Sequence, residues 1–158
     1  MQYGAFMHAG EIALRLVAAA LCGGLIGWNR QREDKPAGLR THILVSLGAA
    51  SFTVVMFDLF QRYPGAAGSP AGDPSRIVQG IATGIGFLGA GSIIRTGGSV
   101  RGITTAAGIW VMGAVGVACG AGSYYIAVLT AGLAFLVLTL ARKLERRITL
   151  RGRRESEN

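Results

Sequence analysis

Five stretches of this chain, roughly 12–28, 41–60, 77–94, 103–120 and 124–141, carry almost no charge. Each falls in the range of about 17 to 25 residues that a helix needs to cross the hydrocarbon core of a bilayer. A soluble fold could bury one or two such helices. Five of them in 158 residues would leave almost no polar face for water. Charged residues make up 15% of the chain, against about 25% in soluble domains. The reading is an all-α, polytopic membrane bundle: a short external segment 1–11, a membrane domain 12–141, and a basic tail 142–158.

The net charge of +8 would point to nucleic acid in a soluble protein, but the positions of the charges argue otherwise. Thirteen of the sixteen Lys and Arg residues fall on one side of the five-span scheme. They are Arg30, Arg32, Lys35 and Arg40 between the first two spans, Arg95 and Arg101 between the third and fourth, and seven after Ala141. Cytoplasmic loops attract Lys and Arg, so the N-terminus is expected outside and the C-terminus inside. The tail "RKLERRITLRGRR" then reads as an anchor on anionic lipid, and nucleic acid is not an expected partner. The opening "MQYGAFMHAGE" lacks the basic region of a cleaved signal, so the first span is expected to stay. Trp28, Tyr63, Tyr124 and Tyr125 fall at span ends like an aromatic belt, whereas Trp110 lies mid-span as a packing residue. Cys22 and Cys119 read as small buried residues.

The stretch "TGIGFLGAGSII" spells G-x-G-x-x-G at Gly84, Gly86 and Gly89. A dinucleotide loop needs a strand before it, a helix after it and an acidic residue about 20 residues on. Residues 103–112, "ITTAAGIWVM", contain no acid, so the fingerprint is not supported. Small residues spaced by four let membrane helices approach closely. Gly23 and Gly27, Gly80 and Gly84, and Gly116 and Gly120 have that spacing. The plain reading of Gly84, Gly86, Gly89 and Gly91 is therefore a helix that touches neighbours. The sharper one is a broken helix whose backbone lines a site.

The chain also echoes itself at an offset of 64. Gly27 aligns with Gly91, Gly38 with Gly102, and Thr41 with Thr105. Each half reads as a glycine-rich span, a basic loop and a G-[LI]-x-T opening of the next span, which suggests a parallel repeat. A helix start beside Arg40 or Arg101 would suit an anion or a lipid headgroup, though plain loop chemistry accounts for these residues too.

The stretches "KPAGLRTHILVSLGAASFT", "GIGFLGAGSII" and "GITTAAGIW" resemble, in that order, the motifs of the MgtC/SapB family. The resemblance covers about residues 12 to 130. It implies a bacterial inner-membrane protein of about five spans, without a cofactor, linked to survival at low magnesium. At least one member is said to restrain the ATP synthase. The implied role is a regulator of another membrane complex, with a transporter or channel for Mg2+ or another small ion as the alternative, and a homo-oligomer is compatible with either. The motifs mark Arg30, Lys35, Gly38, Arg40, Thr41 and His42, then Gly84 to Gly91, then Arg101, Thr104, Thr105 and Trp110. The chain departs from the pattern in having Asn29 where the family usually has Glu, and Gly80 where it usually has Gln. It is also expected to lack the ACT-like domain that some members carry.

Magnesium prefers oxygen ligands, commonly one or two carboxylates. No acidic residue lies between 74 and 144. Glu11 has Arg15 one turn away, and Asp58 has Arg62 at the same spacing. Asp58, inside a span, is the best single candidate for a cation site. No nucleophile–base pair, metal cluster or paired carboxylates suggest an enzyme.

Overall fold

The computed structural model describes residues 7–63 and 73–155, the stretch 143–155 by backbone alone. It contains five helices: α1 (Ala9–Arg32), α2 (Leu39–Arg62), α3 (Pro74–Gly91), α4 (Ile103–Gly120) and α5 (Tyr124–Glu155). A two-stranded antiparallel hairpin, β1 (Ile94–Thr96) and β2 (Ser99–Arg101), joins α3 to α4.

Burial is inverted relative to a soluble protein. The fully buried residues are mostly small, among them Ala19, Ala50, Cys119, Ala127 and Ala131, with Ile26, Met112 and Val115. The largest apolar side chains point outward: Phe87 is 80% exposed and Leu21 69%. Water would not tolerate so much exposed apolar surface, whereas lipid does. Four of the helices (α1, α2, α4, and α5 from Tyr124 to Arg142) are long and apolar enough to cross a membrane. The chain is a helical membrane protein.

α4 is the centre of the bundle and touches each of the other four helices. On α1 the buried positions are Ala19, Gly23, Ile26, Gly27 and Arg30, a single stripe at helical spacing. This stripe brings the α1 backbone against the start of α2. A Cβ on Gly23 would lie 2.6 Å from the His42 carbonyl oxygen, and one on Gly27 would lie 2.7 Å from Leu39 Cα. Gly116 and Gly120 do the same for α4, against the carbonyls of Ser46 and Ala50 on α2. The Ser46 hydroxyl reinforces the seam by donating to the Ala19 carbonyl at 2.8 Å. At the far end, Arg15 donates to the Gly120 carbonyl at 2.7 Å while also pairing with Glu11, and so ties α1 to the last turn of α4.

Three expectations need correction. The third stretch was expected to span 77–94, but α3 starts at Pro74 and ends at Gly91, and residues 94–96 are strand. Asp73 caps the start by accepting from the Ser75 amide at 2.8 Å. The Gly97–Gly98 turn, with both φ positive, folds Ile94 back onto Arg101. The eighteen residues of α3 reach about 27 Å, but with Arg76 and Gln79 in its first two turns it is not among the four helices long and apolar enough to cross a membrane. Second, the helix runs unbroken through Gly84, Gly86 and Gly89, which removes the broken-helix alternative, but among the described residues the expected contact with neighbours holds at Gly89 and not at Gly84, Gly86 or Gly91. Third, Trp110 is 53% exposed rather than packed in the interior.

The echo between halves holds at one point and fails at another. Gly38 and Gly102 are both N-caps without a side-chain cap bond, on α2 and α4 respectively. Gly27, however, is pressed against α2, whereas its counterpart Gly91 has nothing within 4 Å.

Candidate functional site

The end of α1, the hairpin, the start of α4 and the apolar-to-basic boundary of α5 enclose a cavity of about 660 Å³. Its walls carry Arg30, Glu33, Asp34, Lys35, Arg101, Thr104, Thr105 and Arg142, with Val100, Ile103, Val137 and Leu138 as the apolar part.

Arg30 is the innermost charge, only 4% exposed. It is buried because it continues the stripe of Gly23 and Gly27, along which α1 lies too close to α2 for solvent. Its Nη2 donates to Thr105 Oγ1 at 2.9 Å, joining residues 75 apart in sequence. The Glu33 side chain, also 4% exposed, accepts from Arg142 at 2.8 Å and lies 4.0 Å from Arg30. The chain Arg142–Glu33–Arg30–Thr105 thus links α5, α1 and α4. Removing one member of a buried pair leaves an uncompensated charge and costs about 3–5 kcal/mol.

His42, fully buried on the first turn of α2, adds a second polar layer. Its Nδ1 lies 2.8 Å from the Gly38 carbonyl, which can only accept, so the proton sits on Nδ1. Nε2 is left without a partner, and a Cβ on Gly108 would be 3.6 Å from it. Arg30 Nε and Asn29 Nδ2 are likewise buried and unpartnered. A buried donor or acceptor without a partner costs about 1–3 kcal/mol. Clusters of such atoms in a native structure call for an explanation beyond folding.

The structure brings Arg30, Lys35, Arg101, Thr104 and Thr105 into this one cavity. Gly38 stands beside it as the cap of α2 and the partner of His42. Arg40 is exposed and Thr41 half-buried on the same turn, and neither lines the cavity. Among the described residues, a Cβ on Gly84, Gly86 or Gly91 would meet no other element within 4 Å, and one on Gly89 would lie 3.3 Å from the Ala106 carbonyl oxygen. Asp58 lies toward the other end of α2, sixteen residues or about 24 Å of helix from His42. There it accepts from Arg62 Nε at 2.8 Å. Among the described residues, no three His, Cys, Asp or Glu gather into a metal site.

Sequence reasoning passed over Glu33 and Arg142. Glu33 lies one turn beyond Asn29, on the same face of α1. It brings a carboxylate to 4.0 Å from Arg30, where the neighbouring Asn29 offers none. That spacing was the available signal. The pairing of Glu33 with Arg142, across 109 positions, had none.

The comparisons with known proteins agree with this architecture. A family model described as the MgtC family matches residues 16–147. YhiD of Escherichia coli (strain K12), named as a candidate magnesium transporter, is 39% identical over 138 residues, 87% of this chain and 64% of that protein. Protein MgtC of Brucella abortus (strain 2308) is 50% identical over 107 residues, 68% of this chain and 41% of its own length. Protein SrpB of Synechococcus elongatus is 40% identical over 150 residues, 89% of this chain and 80% of SrpB. The chain therefore spans less than two thirds of YhiD and under half of the Brucella protein. No solved structure matches. With most of its membrane helices inside the matched region, the chain belongs to the MgtC family.

Proposed function

We propose that this protein serves magnesium homeostasis in a bacterial inner membrane as a non-enzymatic regulator, docking onto another membrane complex. The observation that carries this reading is the groove between α2 and α3. It measures about 670 Å³ and is lined by Leu44, Gly48, Phe52, Ile77, Gly80 and Gly84, among others. α3 packs onto α4 through Ile85 against Gly113 and meets α2 more sparingly, through Ile81 and Ile85 near Val45 and Ala49. Gly80 and Gly84 therefore offer backbone at small-xxx-small spacing, and among the described residues no other element comes within 4 Å of where a Cβ on either would sit. A partner's transmembrane helix would gain close packing there. The family resemblance nominates the ATP synthase as the first complex to test.

The carboxylates support a regulator over a conduit. Glu11, Glu33 and Asp58 are each engaged by an arginine, which a hard divalent cation would have to displace. The test has two parts. Purified, folded protein in proteoliposomes is expected to give no magnesium flux above empty vesicles. Gly84→Leu is expected to insert and fold normally yet fail to support growth at low magnesium. Flux that Asp58→Asn abolishes would replace this reading with the transporter. A fully active Gly84→Leu would remove the groove from the mechanism.

A further inference from the structure

The cavity at the α1–α4–α5 end has a property that the regulator reading does not use. Four cationic side chains, Arg30, Lys35, Arg101 and Arg142, face it against two carboxylates, Glu33 and Asp34. Glu33 is already bound to Arg142. Removing a cation-rich cavity from water favours an anion within it.

Two independent features sharpen this. The first is the start of α4, an 18-residue helix that opens directly into the cavity at Gly102, Ile103, Thr104 and Thr105. Its first amides have no intrahelical acceptor, and no side chain caps them. The N-cap is Gly102 at φ 91, where a Cβ would also collide with the Ser92 carbonyl. A side-chain cap is therefore sterically barred at this position, and the amides stay free for an outside acceptor. The second is Arg30. It is 4% exposed, lines the cavity, donates to Thr105 and lies 4.0 Å from Glu33, and among the described residues its Nε has no partner. A guanidinium offers five N–H donors in a fork that matches phosphate oxygens. This buried one has its Nε–H unspent.

We propose that this cavity binds a phosphate group, with the α4 N-terminus and Arg30 as the inner donors and Arg101 as the outer one. Helix N-termini hold phosphate through free amides and the positive end of the helix dipole. Arg142 positions Glu33 and keeps that carboxylate from opposing the ligand. The apolar wall of Val137, Leu138 and Ile103 beside the charges suits both a free phosphate and a phospholipid headgroup entering along α5. The two sources share one chemistry. The proposal does not depend on docking at the α2–α3 groove, which lies on other residues.

The experiment uses the full chain in nanodiscs of purely zwitterionic phosphatidylcholine. Inorganic phosphate is titrated by calorimetry, and phosphatidylglycerol adducts are counted by native mass spectrometry after mixed-lipid reconstitution. Arg101→Gln, exposed and remote from the core, is expected to weaken binding by about tenfold or more, the loss of a charge-assisted hydrogen bond. Arg30→Gln is expected to weaken it further. Arg40→Gln, equally basic but outside the cavity, is expected to leave it unchanged. Phosphate heat without lipid adducts assigns the site to the free anion, and the converse assigns it to a headgroup. No binding of either by folded protein, or equal losses in Arg101→Gln and Arg40→Gln, would overturn the proposal.

Discussion

Glycine does opposite things in two parts of this molecule. Along α1 and α4 it is filled space: Gly23, Gly27, Gly116 and Gly120 each bring a backbone up against α2, and a Cβ at any of them would lie within 2.7 Å of an atom of that helix. Along α3, Gly89 apart, it is open space: among the described residues a Cβ on Gly80, Gly84, Gly86 or Gly91 would meet no other element within 4 Å. The sequence spacing is the same, four residues between small side chains. The difference lies in the neighbour. α4 supplies Gly113 and Ala106 to the α3 contact, while α2 meets α3 more sparingly and turns Leu44, Phe52 and Val55 outward. A glycine that touches its neighbour holds the fold together. One with open space beside it adds no close packing within the chain and leaves that face to something outside it.

The comparison breaks most readily at the seam. Gly116→Leu would drive a branched side chain into the Ser46 carbonyl and the Ala49 methyl group. The expected cost exceeds about 3 kcal/mol, the upper end for overpacking. It should appear as loss of monodisperse protein after detergent extraction, and a normal melt would show that α2 and α4 are not this close. Gly27→Ala adds only one methyl group. It should destabilise by about 1–3 kcal/mol in a thermal or denaturant series, because Leu39 Cα and the Gly38 carbonyl oxygen belong to backbone that cannot swing aside.

On α3 the sign should reverse. Gly84→Ala meets no atom, and alanine is the better helix former by about 0.5–1 kcal/mol. A raised melting temperature in the purified chain is expected, and a drop would mean that α3 sits closer to α2 than described. The smallest effect belongs to Asp58→Asn. Its partner Arg62 is 60% exposed and Asp58 itself 36%, so the pair should contribute less than about 1 kcal/mol to stability. A larger loss would restore Asp58 as a site of more than surface pairing.

How much of the site was legible can be traced residue by residue. Arg30, Lys35 and Arg101 were marked by the basic loops and the motif order, and Thr105 by its place at the opening of a span. These are local signals, and they placed the residues at one end of the bundle correctly. Glu33 was hidden among alternating charges in "NRQREDK", where nothing local shows that its side chain is 4% exposed. Trp110 was misread because an aromatic residue in mid-span can face lipid or a helix with equal ease. Periodicity cannot choose between them when both surroundings are apolar.

The sequence by itself determined that this chain belongs in a bilayer, where its charges gather, and which segments are helical. Uncharged length and the cost of unpaired backbone in lipid act on each segment separately. Only the tertiary structure decided which glycines are filled, that α3 stops at Gly91 to make room for a hairpin, and that Arg30, Glu33, Thr105 and Arg142 share one cavity. The physical reason is that close approach and buried ion pairs are properties of two backbones at once. Arg30 and Thr105 are separated by 75 residues and Glu33 and Arg142 by 109, and no local pattern carries their distance.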